Sequence, residues 1–397
     1  MPQAVCTPET TRENWPQRRE ELVELFKTYE YGRRPELPYQ VSAALTSRGS
    51  ALDGAATREL YQVTVSTGRG AVNMELALVL PAGEAVVPTV LMLSNHDRRE
   101  IPTSPRNMEV LDDLFQRAPK QWAEETKKML ASWTQGGSTG PELLDISTED
   151  TQGYWAVHEI IASGRAAAAF YASQAQVDDA AQFPSGLSAL FLDPGVPRGP
   201  DGWGTLGVWA FAASRMVDVL LRHPRVDGSR ISVGGHSRGG KAALWCAVQD
   251  TRINGVLVNN SGCSGAAVSR GKRGEVIASI NAFFPHWFCP NYKQFAWKEE
   301  EMPFDQHLLV AAMAPRLCCV ASGSQDLWSD PEAEWLGAKY AEAAWKLFGL
   351  EGLPENAPGP GETAYDGAIA YHKLDGGHDL TAWDWKRFLT FLDRHNG

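Results

Sequence analysis

The chain has 397 residues, enough for one large domain or two, and 43% of them are hydrophobic, so a sizeable core can form. Its net charge is −11, with no basic run that would track nucleic acid or an anionic membrane. No stretch is long enough to cross a bilayer. Met1-Pro2-Gln3-Ala4-Val5-Cys6 also lacks the basic and apolar regions of a signal peptide, which leaves a cytoplasmic protein or the mature form of an exported one.

In chain order, Glu13 to Tyr31 reads as a helix packed outside the main sheet, with Trp15, Leu22, Leu25 and Phe26 on one side. Glu59 to Ser66 and Val72 to Leu80 alternate around Gly68-Arg69-Gly70, a hairpin signature. Val86 to Leu93 is a nearly continuous apolar run, as an inner parallel strand requires. The loop after it, Ser94-Asn95-His96-Asp97, stands where a backbone donor to an oxyanion hole is expected, while His96 itself reads as a surface residue. Pro102 to Gly153 is polar, contains Gly136-Gly137-Ser138-Thr139-Gly140, and reads as an insertion over the sheet, a candidate substrate wall.

Trp155 to Ser163 and Ala166 to Tyr171 make one helix–strand step, and Ala175 to Gly202 is loop-rich. Leu206 to Leu221 is a long apolar helix. Strands at Val256 to Val258, Leu317 to Ala321 and Ile369 to Leu374 follow, and a closing helix runs from Thr381 to Arg394. The alternation predicts an α/β fold: a single domain over residues 1–397 with a doubly wound, mostly parallel sheet flanked by helices.

Between the long helix and Val256 lies Val233-Gly234-Gly235-His236-Ser237-Arg238-Gly239-Gly240-Lys241. A β-prone segment precedes it and helix-forming residues follow, so its G-x-S-x-G has the context of the nucleophile elbow of α/β-hydrolases. Small residues at Gly235 and Gly239 leave room for the strained turn that presents Ser237 at a helix N-terminus. A serine nucleophile needs a base and an orienting carboxylate, which follow it in that fold in the order acid, histidine. His378, in Asp375-Gly376-Gly377-His378-Asp379 between the last strand and last helix, is the expected base, whereas His372 lies within the strand and reads as packed. Asp326 and Asp330 both follow the strand Leu317 to Ala321. Asp330 precedes Pro331 and looks like a helix N-cap, so Asp326 is the expected acid.

Arg238 and Lys241 are cations at a helix N-terminus, where the helix dipole opposes them. An anion in the pocket would account for both. The six cysteines (Cys6, Cys246, Cys263, Cys289, Cys318 and Cys319) show no metal or redox spacing. Cys318 and Cys319 stand in an apolar run and read as buried thiols, and a Cys263–Cys289 disulfide, the one pairing considered, is not expected.

With these positions assigned, the chain from about Trp15 onward resembles the glucuronoyl esterases of carbohydrate esterase family fifteen, its bacterial branch above all. The resemblance is carried by Gly235-His236-Ser237-Arg238-Gly239-Gly240-Lys241, Asn259 to Ala267, Phe284-Pro285-His286-Trp287-Phe288-Cys289, Asp305-Gln306-His307, and Asp326-Leu327-Trp328-Ser329-Asp330-Pro331. It implies hydrolysis of esters between (4-O-methyl-)glucuronic acid on xylan and lignin alcohols, with Ser237 as nucleophile, His378 as base and Arg238 as oxyanion stabiliser. Lys241 and Trp328 would contact the sugar, with Glu275 near a further hydroxyl-binding position; apart from the resemblance, Trp287 is singled out among the 14 tryptophans as another candidate binding residue. Fungal members carry the triad glutamate at the position of Asn260, which cannot hold that charge, and this supports Asp326.

The reading expects a monomer without metal or cofactor, acting on a glucuronoxylan or lignin–carbohydrate ester, with no nucleic-acid or membrane partner. An acetyl xylan esterase or general carboxylesterase of the same fold is the alternative. A peptidase or a catalytically inactive carbohydrate-binding relative stands further off.

Overall fold

The computed structural model describes residues 4–94, 106–133 and 153–395. Ten strands form one sheet: β1 Gln40–Ala51, β2 Ala56–Thr67, β3 Gly70–Pro81, β4 Val87–Ser94, β5 Ala166–Tyr171, β6 Val226–His236, β7 Gly255–Asn259, β8 Leu317–Gly323, β9 Thr363–Ala364 and β10 Ile369–Leu374. Their spatial order is β1-β2-β3-β5-β4-β6-β7-β8-β10-β9. From β5 to β10 every neighbouring pair is parallel. β1, β2 and β3 pair antiparallel on one side, and β9 is antiparallel at the other edge.

The inner strands are buried along their length, including Val90 to Leu93, Val256 to Val258 and Cys318 to Ala321. Helices cover both faces, so these strands read as unbroken apolar runs rather than alternating ones. The β2–β3 hairpin turns where glycine allows it, with Thr67 paired to Gly70.

Most expected elements are present with their ends shifted by a few residues. The N-terminal helix runs Trp15–Tyr29, with proline in its first turn, and buries Trp15, Leu22, Val23 and Phe26. The indole N–H of Trp15 donates to the Ala314 carbonyl at 3.1 Å and ties this helix to the main body.

β1 is the element that hydrophobic patterning does not reveal. Its sequence, Gln-Val-Ser-Ala-Ala-Leu-Thr-Ser-Arg-Gly-Ser-Ala, shows no buried face, and only Ala51 is buried. It is a strand because β2 offers an open edge along its whole length, from Gln40↔Ser66 to Ala51↔Ala56.

The insertion holds two helices, Arg106–Arg117 and Lys120–Trp133. Leu114, Trp122 and Ala123 pack with Val276 and Ala278 in a small core separate from the main one. The loop Asn95-His96-Asp97, residues 102–105 and residues 134–152, with the Gly136 to Gly140 run, lie outside the described residues.

Candidate active site

Ser237 is the hinge between β6 and the helix Arg238–Gln249, at φ 55° and ψ −126°. A serine pays strain to hold a positive φ, and such strain concentrates at functional turns. Two contacts over-determine it. The Ser237 N–H donates to the Asn259 carbonyl at 2.9 Å, and the Asn259 Oδ1 lies 2.6 Å from Nδ1 of His236. A Cβ on Gly235 would run into the Gly239 carbonyl, so glycine is required there.

Asp326 and His378 come together from the loops after β8 and β10. Oδ2 of Asp326 lies 2.6 Å from Nδ1 of His378. A carboxylate can only accept, so Nδ1 carries the proton and Nε2 is left with its lone pair. Burial would push the Asp326 carboxyl up, but the charge and hydrogen bond of His378, helped by Ser329, hold it down at about 2. The Ser329 N–H donates to Oδ1 at 3.2 Å and fixes the second oxygen. The His378 ring stands 4.5 Å, centroid to centroid, from His236, the residue before the serine. The two loops approach so closely that a Cβ on Gly323 would collide with the Gly377 carbonyl, so glycine is required there.

Asp330 sits apart from this pair. It caps the helix Pro331–Leu347 through the Ala333 N–H at 3.1 Å and accepts from the Arg273 N–H at 2.7 Å, the N-cap role read from its proline neighbour. His372 is fully buried, 3.1 Å from Asp384, also as expected.

The counter-charge for Arg238 lies within the chain itself. Its guanidinium pairs with Asp178, a residue of the loop-rich stretch that no motif marks. Asp178 also accepts from His286 Nε2 at 2.9 Å and from the Trp287 indole N–H at 2.6 Å. Burial would raise the Asp178 carboxyl. The Arg238 charge outweighs that effect, with the bonds from His286 and Trp287, and holds the group well below the usual carboxylate range. The guanidinium lies 4.8 Å over the Trp287 ring, which stacks on Phe284 at 3.7 Å and 3°. Trp287 is only 3% exposed, so the structure brings it beneath the arginine rather than to an open surface.

Lys241, one turn further along the helix, is buried. Its Nζ donates to the Ser261 carbonyl at 2.5 Å and lies 3.8 Å from the Glu275 carboxylate. Burial lowers the affinity of this amine for its proton, and Glu275 opposes that effect. The Glu275 N–H donates to the Trp328 carbonyl at 2.9 Å, so these two residues are held side by side, with Trp328 half-buried. Ser237, Arg238, Lys241, Glu275, Trp328, Asp326 and His378 thus come from four segments joined by direct contacts at the carboxyl ends of the parallel strands, where ligands bind in open α/β sheets.

Asp178 is the site residue that no motif marks, whereas Asn259, Asn260 and His286 stand in the motif segments and gain their positioning roles only from the structure. Asn260 acts as a scaffold. Its Oδ1 accepts from the Gly323 N–H at 2.6 Å, and its Nδ2 donates to the Asp379 carbonyl. All six cysteines are free, and five are buried. Among the described residues, no three histidine, cysteine or acidic side chains are grouped to hold a metal.

The profile of fungal glucuronyl esterases matches residues 199–349. A carbohydrate esterase from an unknown prokaryotic organism is 34% identical over 97% of this chain and 86% of its own length. The solved structure of a glucuronoyl esterase from Solibacter usitatus superposes with a TM-score of 0.82 at 34% identity, covering 100% of this chain and 98% of the other. A promiscuous esterase of carbohydrate esterase family 15 from the marine bacterial metagenome gives 0.80 at 32%, covering 100% and 97%. With whole-length likeness of that degree added to the elbow and the acid–histidine pair, the chain belongs to the glucuronoyl esterases of carbohydrate esterase family 15.

Proposed function

We propose that the protein hydrolyses esters of glucuronic acid through an acyl-enzyme on Ser237. The Asp326–His378 contact of 2.6 Å beside the elbow carries this reading. Nε2 of His378 takes the serine proton as the hydroxyl attacks the uronate carbonyl, then returns it to the departing alcohol. Water repeats the cycle and releases the acid. Asp326 holds the imidazole in the required tautomer and stabilises its cation.

The tetrahedral intermediate is an anion. Arg238 lies next to the serine in sequence and offers both its backbone N–H and a guanidinium whose plane is fixed by Asp178 and Trp287. Lys241 and Glu275 provide a donor and an acceptor for sugar hydroxyls, and Trp328 a ring face. Trp287 acts through Arg238. Curated relatives named 4-O-methyl-glucuronoyl methylesterase, such as that of Hypocrea jecorina at 31% identity over 37% of this chain, support a 4-O-methyl-glucuronate acyl group of the kind borne by glucuronoxylan.

Turnover of benzyl glucuronate, compared with p-nitrophenyl acetate and acetylated xylan, tests the assignment. A clear preference for the glucuronate ester is expected. A preference for the acetyl donors would make the enzyme an acetyl or general carboxylesterase.

A further inference from the structure

Glu334 lies near the start of the helix Pro331–Leu347 and is fully buried. Its Oε1 accepts from the Ser261 hydroxyl at 3.0 Å and the Gly262 N–H at 2.9 Å, and its Oε2 accepts from the Ser322 hydroxyl at 2.7 Å. These donors belong to two strand ends. Ser261 and Gly262 follow β7, and Ser322 is the penultimate residue of β8.

Each strand end carries part of the site. The Ser261 carbonyl holds Nζ of Lys241 at 2.5 Å. Ser322 and Gly323 lead directly into the loop with Asp326, and Gly323 is bonded to Asn260, which grips the loop of His378. One carboxylate therefore sits between the segment that sets the acid–histidine pair and the segment that sets the buried lysine.

Such a group is costly. Desolvation and the like charge of Asp326 both work against it, and burial pushes its carboxyl up to about 7 despite three donors. An apolar side chain there would avoid the desolvation but leave the Ser261 and Ser322 hydroxyls and the Gly262 N–H without their acceptor, so the carboxylate is what joins the two strand ends.

We propose that Glu334 is a positioning residue for ester hydrolysis, whose single carboxylate fixes the strand end bearing Asp326 relative to the turn that holds Lys241. The inference rests on the assignment of Ser237, His378, Asp326 and Lys241 made above. Glu334 reaches no substrate itself and acts through these groups.

The test uses the full chain with Glu334→Gln, Glu334→Leu and Ser322→Ala. Active sites are counted by fluorophosphonate labelling, and kcat and KM for benzyl glucuronate are expressed per labelled site. Glutamine keeps an acceptor for Ser261 and Gly262 and offers its amide N–H to Ser322, so both parameters are expected within about threefold of the parent. Leucine severs both ties. Here kcat is expected to fall about tenfold and KM to rise about fivefold.

Ser322→Ala removes only the bond on the Asp326 side, so kcat is expected to fall about threefold with KM unchanged, a result that stands even if the leucine variant does not fold. Parent values per labelled site in Ser322→Ala, with only the melting temperature lowered, would make Glu334 a structural strap and overturn the proposal. Losses as large with glutamine as with leucine would also overturn it. Failure of the underlying functional reading looks different: the parent protein would not turn over the ester, or labelling would survive Ser237→Ala.

Discussion

Asn260 donates from Nδ2 to the carbonyl oxygen of Asp379 at 2.8 Å, and so pins the residue that follows His378. Its Oδ1 meanwhile holds the Gly323 N–H at the end of β8. The side chain bridges the acid loop and the histidine loop without touching either functional group. Asn260→Ala frees both loops. Turnover is expected to fall about tenfold with little change in KM, measured by steady-state kinetics on benzyl glucuronate.

The two aspartates after β8 separate by substitution. Asp326→Asn replaces the acceptor opposite Nδ1 with a group that no longer fixes the tautomer, and kcat is expected to drop by about three to four orders of magnitude. Asp330→Asn keeps a good N-cap, so the change in kcat is expected to be at most about twofold. Similar losses in both variants would assign the acid role wrongly.

Asp178 satisfies three donors with two oxygens. Asp178→Asn offers one oxygen and adds an amide that donates toward donors, so buried groups on Arg238, His286 and Trp287 lose partners. A stability loss of about 2 kcal/mol is expected, read by denaturant titration. With the guanidinium no longer held, kcat is expected to fall about 100-fold. A variant that loses stability alone would leave Arg238 with no catalytic part.

Two buried acids tie stability to pH in opposite senses. The Glu334 carboxyl is raised to about 7 from 4.5, so the folded state keeps its proton after the unfolded chain has lost it. Its contribution is full below about pH 4.5 and declines until about pH 7. Asp326, lowered to about 2 from 3.8, adds stability above about pH 4 that is lost as pH falls toward 2. Melting temperatures across this range are expected to show both slopes, and Glu334→Gln is expected to remove the first alone.

How far the sequence discloses this molecule depends on the range of each interaction. The inner strands, the elbow and the loops with Asp326 and His378 are local patterns: apolar runs, glycines at a strained turn, and acidic or imidazole side chains just after a strand. Asp178 has no such neighbourhood signal, because its partners His286 and Trp287 lie more than a hundred residues away. The clue was electrostatic. Cations at a helix N-terminus require a counter-charge, and the chain provides one for Arg238 internally. Glu334 is hidden for a related reason: glutamates at the start of a helix read as a solvated face, and only tertiary packing reverses that. β1 escaped because its pairing comes entirely from its neighbour's open edge.

The indole N–H of Trp122, in the insertion, donates to the Gly274 carbonyl at 2.8 Å, one residue before Glu275. The inserted helices are thus tied to the backbone just before Glu275, while Ser237, His378 and Asp326 stand on turns at the ends of sheet strands. Under the proposed function, resculpting that segment is expected to change which polysaccharide branches are admitted while leaving bond cleavage intact, an arrangement that would let selectivity and chemistry evolve on separate parts of the chain.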